Sequence, residues 1–368
     1  MKTKRKVKNI MLILFFASLQ ISIFAQELAP TLPVLAIAPD ARSAAMGDAG
    51  VATSPDINSQ HWNAAKYVFA QNEGGISLSY TPWLKSATSD VYITYLSGFY
   101  KYSKNESLSA ALRFFSLGNI DFYTNDYEYL QSARPNEFAF DVAYSRRLGK
   151  YVSGAIALRY INSTKVTIQN LNPLIEHTSS VAGDVMFFYQ KPVRFSFAQN
   201  SELAFGAGIS NLGTKVRLAD SVDYFLPMNI KLGARITFNL DDVHFLSPVI
   251  ELNKSLVPTD YKYRTEAVLN AAARGMVSDF SRITYIFGLE YSYKNQLFMR
   301  AGYHKEAKEI SNNSYLTFGI GVNYKMWNLS ASYLFITDSQ NSIIDNTFRI
   351  SLALNIGRSA KNWYDYNL

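Results

Sequence analysis

The chain of 368 residues contains no cysteine. This absence excludes disulfides, thiolate metal sites, a cysteine nucleophile and a lipid-modified N-terminal cysteine. Charged residues are scarce at 18%, below the roughly 25% of an average soluble protein. After the first 25 residues no stretch approaches ~18 consecutive apolar residues, so we expect no spanning helix in the mature chain. The apolar content of 48% is nevertheless too high for a disordered protein.

The start of the chain combines positive charge with an apolar run. The basic residues that precede any acid are Lys2, Lys4, Arg5, Lys6 and Lys8. Apolar residues dominate positions 10–24, and the small residue Ala25 follows them. This order predicts a secretory signal peptide over residues 1–25. Removing its five charges from the formal +7 leaves +2, so we expect no nucleic-acid partner.

From residue 74 onward, apolar residues recur at every second position. In the clearest case, Phe348, Ile350, Leu352, Leu354 and Ile356 alternate with Arg349, Ser351, Ala353 and Asn355. A strand points successive side chains to opposite faces, so each such segment predicts one apolar face. About fourteen segments of roughly 9–12 residues follow this pattern. That length suits a tilted bilayer crossing, because soluble strands average about 5–6 residues.

The connectors between these segments alternate between short and long. The short side has residues 103–106, 148–150, 241–242, 294–295 and 326–327, with 191–200 as a longer member. The long side has residues 82–90, 118–135, 163–179, 213–226, 254–279, 305–313 and 338–345. Short periplasmic turns and long outer loops are typical of outer-membrane barrels. We therefore predict an all-β fold, a 14-stranded antiparallel transmembrane barrel over residues 74–357, followed by a periplasmic tail over residues 358–368.

Several charged residues fall on the more polar face of the predicted strands. They are Arg113, Asp141, Arg159, Asp184, Glu202, Lys231, Arg235, Arg282, Glu290, Arg300 and Arg349. Lipid cannot accommodate them, so we expect them to face the lumen and to pair with one another there. A role in selecting permeating molecules is the alternative.

Residues 26–73 show no alternation and are rich in alanine, glycine and serine. Small residues allow backbone to pack closely in a confined space. The segment is also too apolar for a free tail. We therefore predict a hatch folded inside the barrel, with a flexible periplasmic lead as the alternative.

Two stretches of this segment carry a family resemblance. Residues 39–52, PDARSAAMGDAGVA, resemble the hatch of FadL-type long-chain fatty-acid transporters. Residues 53–56, TSPD, and 60–67, QHWNAAKY, are similar to the PorV branch of that superfamily, with the PorQ branch as a close neighbour. The resemblance implies a fourteen-stranded barrel with an N-terminal hatch. The motif residues of the hatch are Arg42, Met46, Gly47, Asp48, Gly50, Asp56, Trp62 and Asn63.

The PorV resemblance also implies a function in the type IX secretion system of Bacteroidetes. PorV-like proteins are non-enzymatic outer-membrane components without a cofactor. They bind the C-terminal signal domain of secreted cargo at the translocon barrel and shuttle it to the attachment complex, which contains a sortase. Outer-membrane lipid would surround the barrel. The alternative is FadL-type transport of hydrophobic small molecules.

The residues themselves offer little catalytic chemistry. The four histidines are scattered and form no HExxH motif, and the chain has no G-x-S-x-G elbow.

Aromatic and apolar residues in the two longest outer connectors could instead bind a partner. The candidate partner-binding residues are Tyr123, Tyr127, Tyr129, Leu269 and Met276. Helix-forming residues over 266–276 predict a short helix ending near Gly275. Solvated loop tips and a cap over the pore are the alternatives.

Overall fold

The computed structural model describes residues 32–84, 88, 90–123, 129–169, 172–217, 223–258, 263, 265–277, 282–307, 313–337 and 346–357, without the side chains of 165, 167–169 and 172–174. The predicted signal peptide, the predicted tail and Tyr127 lie outside the described residues. Before the barrel, the structure has helices α1 (Pro33–Ala36), α2 (Ala41–Ala44) and α3 (Ser59–Trp62), then a 3-10 helix (Ala64–Phe69). No helix in the described ranges is both long and apolar enough to cross a membrane.

Strands make up nearly all of the rest. The first nine are β1 (Gly74–Pro82), β2 (Val91–Tyr100), β3 (Glu106–Leu117), β4 (Ile120–Tyr123), β5 (Tyr129–Ala133), β6 (Asn136–Arg147), β7 (Val152–Gln169), β8 (Asn172–Phe195) and β9 (Ala198–Gly213). The next are β10 (Val216–Arg217), β11 (Asp223–Tyr224), β12 (Asn229–Asn239) and β13 (His244–Ser255). Helix α4 (Val268–Val277) precedes β14 (Ile283–Tyr293), β15 (Leu297–Lys305), β16 (Ser314–Tyr324), β17 (Trp327–Ile336) and β18 (Phe348–Ile356).

All strands except β4, β5, β10 and β11 close into one antiparallel barrel. β1 pairs with β2 on one side and with β18 on the other, so Gly74 lies opposite both Tyr100 and Ile356. A closed sheet leaves no unpaired backbone edge, which lipid could not satisfy. The predicted 14-stranded antiparallel barrel is confirmed.

The two faces of the barrel differ as the sequence pattern predicts. On β1, the exposed Ile76 and Leu78 alternate with the buried Ser77 and Ser79. The same arrangement recurs on β18, where exposed apolar residues alternate with Arg349 and Ser351. The outer face is therefore apolar and suits lipid, while the inner face is lined by small and polar side chains.

Two connectors differ from the prediction. Residues 163–179, predicted as a loop, continue β7 and β8 as one hairpin whose last pair is Gln169 and Asn172. Residues 191–200 are also mostly strand, because β8 ends at Phe195 and β9 begins at Ala198. Proline is typical of connectors and strand edges, so Pro173 and Pro192 favoured a connector in each stretch. Strand pairing nevertheless runs through both prolines.

Residues 32–72, called the inner segment below, lie inside the barrel. Their backbone and side chains contact inward-facing groups on opposite parts of the wall. Val34 N–H donates to Glu137 on β6, and Ala41 N–H donates to Ser351 on β18. Gly47 N–H donates to Thr317 on β16. Most of the inner segment is buried, as expected for chain enclosed by a barrel.

Candidate functional site

The inner segment is organised around Asp40. This residue caps α2, because one carboxylate oxygen accepts a hydrogen bond from the backbone N–H of Ser43 at 3.0 Å. Its other oxygen accepts from Trp62 Nε1 at 2.6 Å. Asp40 therefore ties the first helices of the segment to α3, and the tryptophan of the predicted motif holds the fold of the segment together.

The two motif glycines lie where the inner segment touches the barrel wall. Gly47 has a φ of 70°, and a Cβ there would lie 2.9 Å from the backbone oxygen of Tyr303. Gly50 and Val51 donate their N–H groups to Glu251 Oε2 at 2.8 and 2.9 Å. A side chain at Gly47 would be strained and crowded, which explains why glycine is found there.

Arg42 connects the inner segment to β14 through a charged cluster. Its guanidinium makes two hydrogen bonds to Glu290, at 2.9 Å from Nε and 2.8 Å from Nη2. Nη1 reaches Asp56 at 3.1 Å, and Arg300 from β15 contacts Glu290 at 2.7 Å. Bidentate arginine–carboxylate contacts of this kind are strong and directional. Two of the predicted motif residues, Arg42 and Asp56, thus meet in one cluster.

The next motif residue, Asn63, joins the inner segment to β8. Its Nδ2 donates to the carbonyl oxygens of Val51 at 3.0 Å and Phe187 at 2.9 Å. Beside it the fully buried Lys66 donates from Nζ to Gly50 O at 2.8 Å and to Thr53 Oγ1 at 2.9 Å. The end of the inner segment is therefore held by polar contacts at several points.

Replacing Asn63 with alanine is expected to lower the free energy of unfolding by about 1–3 kcal/mol, because the buried carbonyl of Val51 and the part-buried carbonyl of Phe187 lose their donor. Urea titration of the barrel refolded in lipid vesicles would measure this. The control is Asn136→Ala at an exposed strand end, where the side chain donates one long hydrogen bond of 3.4 Å to Arg134 O. Equal effects of the two substitutions would contradict the role assigned to Asn63.

Charged residues of the barrel wall form a ladder across four strands. Arg113 on β3 contacts Asp141 on β6 at 2.9 Å. Arg159 on β7 bonds to Asp141 and also to Asp184 on β8, the latter at 2.9 Å. His61 of the inner segment meets Arg113 at 2.9 Å. The predicted pairing of charges inside the barrel is confirmed for this ladder and for Glu202 on β9, which pairs with Arg235 on β12.

The predicted partner-binding residues lie on two separate elements. Tyr123 and Tyr129 face each other across the β4–β5 hairpin, with ring centroids 5.8 Å apart. Leu269 and Met276 are exposed on α4, as is the neighbouring Val277. The helix extends two residues beyond the predicted end at Gly275. It packs onto the barrel through Ala271 and Ala272, which are buried with Leu256 and nearby residues.

An ion pair fixes the connector that leads into α4. Arg274 makes two hydrogen bonds to Glu266, and its guanidinium lies 4.2 Å from the ring centre of Tyr263. The hydrogen bonds from Arg274 lower the pKa of Glu266 below its usual value. A lowered pKa means that folding favours the ionised carboxylate. The ion pair of Glu266 with Arg274 therefore contributes to stability at neutral pH, and this contribution is lost as the pH falls through the pKa of Glu266.

Sequence reasoning missed how the barrel wall holds the motif residues. Glu251 and Thr317 were not among the candidate residues, and the pairing of Glu290, which was predicted to face the lumen, with Arg42 was not foreseen. Each of these partners lies at least 201 residues from its motif residue. Alternation predicted that Glu251 would be in a strand, yet nothing in the sequence signals what it binds. Within the described residues, no cluster of three or more histidine or carboxylate side chains is suited to a metal ion.

Comparison with known proteins agrees with this geometry. A family model described as type IX secretion system protein PorV matches residues 25–262, which is more than half of the chain. The chain belongs to the PorV family. No curated protein sequence matches it. The family assignment and the closed barrel together identify an outer-membrane barrel of the type IX secretion system.

Solved structures with a similar fold include toluene transporters. The toluene transporter TodX of Pseudomonas putida superimposes with a TM-score of 0.52 at 10% identity, covering 87% of this chain and 99% of TodX. A second TodX structure gives a TM-score of 0.51 at 11% identity, covering 85% and 96%. A FadL homologue of Pseudomonas aeruginosa gives 0.47 at 8% identity, covering 86% and 98%. At such identities the TodX matches establish the barrel fold alone.

Proposed function

We propose that this PorV-family barrel is a non-enzymatic carrier of secreted proteins. It binds the C-terminal signal domain of cargo at the type IX translocon barrel and passes the cargo to the cell-surface attachment complex, where a sortase acts. The family match over residues 25–262 carries this proposal. The barrel anchors the protein in the outer membrane, and the outer loops provide the binding surface.

The inner segment acts as a hatch that closes the lumen. Its motif residues bond to strands on several sides of the barrel, through Arg42 to Glu290, Gly50 to Glu251 and Asn63 to Phe187. A carrier that works at the cell surface needs no permeable lumen. The ion pairs and hydrogen bonds on the inner wall therefore serve to hold the hatch in place.

The exposed face of α4 is the part of the outer surface to which we assign cargo binding. Leu269, Met276 and Val277 are large apolar side chains left in contact with water. The same helix is firmly seated through Ala271 and Ala272, so the exposed face is presented on a rigid support. The buried centre of a protein interface is more apolar than its rim and is enriched in methionine, so these side chains suit such a centre.

The combined Leu269→Glu and Met276→Glu variant is expected to recover at least about tenfold less cargo than the wild type, as for loss of interface hot spots. Tagged protein would be purified from native outer membranes, and cargo with an uncleaved signal domain would be quantified by mass spectrometry. The control is Leu148→Glu, at an equally exposed leucine in the short turn before β7. Unchanged cargo recovery in the α4 variant would contradict binding at this face.

Transport of a hydrophobic small molecule is the second candidate, favoured by the fold shared with TodX. The inner wall of the described barrel carries charged pairs such as Arg113–Asp141 and Arg300–Glu290. These polar linings disfavour an apolar path through the lumen. Two results together would favour transport of small molecules over shuttling of cargo proteins. The purified barrel would bind labelled fatty acid or toluene saturably, and a deletion strain would secrete cargo normally.

A further inference from the structure

A groove crosses the lipid-facing side of the barrel at β8, β9 and β12. In the strand register Phe187 and Leu232 flank Ala207, one on each side. The two large side chains project into the lipid region, whereas the alanine does not. A depression of about 280 Å³ results, which Phe205, Tyr189 and Val152 also line.

The groove continues toward the short-turn side of the barrel along an aromatic row. The ring centroids of Phe205 and Tyr189 are 6.1 Å apart, and those of Tyr189 and Tyr151 are 6.2 Å apart. Tyr151 lies in the turn that precedes β7. In outer-membrane barrels such short turns face the periplasm, so the row runs from the apolar zone to the periplasmic interface.

Two lysines stand at the interfacial end of this row. The Nζ atoms of Lys150 and Lys191 lie 5.2 and 5.8 Å from the centre of the Tyr151 ring. Among the described residues neither lysine has a carboxylate within ion-pair distance, unlike Arg113, Arg159 and Arg300 inside the barrel. A pair of uncompensated cations at a membrane interface attracts anionic headgroups.

We propose that this surface is a binding site for one anionic phospholipid of the periplasmic leaflet. An acyl chain lies in the groove between Phe187 and Leu232, over Ala207. The phosphate lies between Lys150 and Lys191, at the level of Tyr151. The charge and the apolar groove occur on one continuous surface, and an amphiphile with one anionic headgroup matches both parts. This site is on the outside of the wall and is independent of cargo binding.

Two features of the chain provide matched controls. Lys294 and Lys325 also lie over tyrosine rings, those of Tyr293 and Tyr324, at 5.2 and 5.5 Å. They belong to other short turns, away from the groove. Ala301 on β15 lies between Leu289 and Phe318 in the strand register, as Ala207 lies between Phe187 and Leu232.

The test reconstitutes the full-length barrel in nanodiscs of phosphatidylcholine that contain a small fraction of dioleoyl phosphatidylglycerol. Native mass spectrometry then counts the lipids that stay bound after release. We expect one phosphatidylglycerol per barrel to be retained by the wild type. Retention should fall about tenfold in the Lys150→Gln and Lys191→Gln double variant, because the electrostatic attraction is lost. The Ala207→Leu variant, which fills the groove, should show a similar loss.

The Lys294→Gln and Lys325→Gln double variant and the Ala301→Leu variant should retain phosphatidylglycerol like the wild type. Heat-modifiable migration on gels would confirm that each variant is a folded barrel. Ala207 faces lipid, so its enlargement does not crowd the interior. Equal retention of phosphatidylcholine and phosphatidylglycerol by the wild type would overturn the proposal, as would equal losses in the test and control variants.

Discussion

Replacing Asp141 with asparagine is expected to destabilise the barrel by about 3–5 kcal/mol, the usual cost of breaking a buried ion pair. Asp141 is fully buried between Arg113 and Arg159 and neutralises part of the charge of both. Asparagine keeps the shape of the side chain but removes its negative charge. Two guanidinium groups would then face one another with Asp184 as the only other carboxylate of the ladder.

Urea titration in vesicles, followed by tryptophan fluorescence, would measure the free energy of unfolding of this variant. The matched control is Asp223→Asn. Asp223 pairs with Arg217 at 3.0 Å, but both side chains are largely exposed. Removing such a surface pair should change stability by no more than about 1 kcal/mol. An effect of Asp141→Asn as small as that of the control would show that the ladder is not needed to stabilise the wall.

The ladder also shows how far prediction from sequence reaches. Alternation predicts that Asp141 and Arg159 point inward. Because charged side chains are costly in lipid, the sequence also predicts that they pair with other charges inside the barrel. Which residues pair depends on strand register, which sets Asp141 directly opposite Arg159. β6 and β7 form a hairpin, in which the geometry of the turn fixes the register, and alternation alone does not reveal that geometry.

The same distinction applies to the boundaries of the strands. β18 is found at Phe348–Ile356, the stretch in which the alternation is cleanest. The outer half of the β7–β8 hairpin was missed because it contains Pro173, and proline is typical of a connector. Periodicity therefore detects strands whose two faces differ in polarity, whereas strand pairing decides how far each strand extends.

Prediction of the candidate site rested on a different kind of signal. Residues such as Gly47 and Gly50 were selected by resemblance to a family motif and not by any local chemical pattern. The structure gives their physical reason, which is contact between the inner segment and backbone or carboxylates of the wall. Gly50 and Glu251 are 201 residues apart, so spacing alone could not connect them.

Enlarging the residues at which the barrel wall touches the inner segment is expected to displace that segment. Gly206 and Gly302 are wall glycines against which the inner segment packs. An added Cβ would lie 2.0 Å from Val51 O at Gly206, and 2.1 Å from Gly47 N at Gly302. Both neighbours are backbone atoms, which cannot rotate away. The double variant Gly206→Ala and Gly302→Ala should therefore displace the inner segment while the outward-facing residues of the barrel stay unchanged.

Overpacking of this kind costs about 1–3 kcal/mol at each site. The population of barrels in which the inner segment is released from the wall should therefore rise by a factor of about ten or more. Limited proteolysis from the periplasmic side of oriented vesicles would measure this as faster cleavage within residues 32–72. Planar-bilayer recordings should show larger conductance, since the segment occupies the lumen. Gly183→Ala is the control, because its added Cβ would be 3.4 Å from the nearest atom, an ordinary contact.

The two readouts separate the possible roles of the inner segment. If it closes the lumen, cleavage and conductance should rise together in the double variant and stay at wild-type levels in Gly183→Ala. If cleavage rises and conductance does not, the segment is held by these contacts but does not seal the barrel, and the hatch role fails. Unchanged cleavage would contradict the packing itself, because two backbone contacts near 2 Å cannot persist once a Cβ is present.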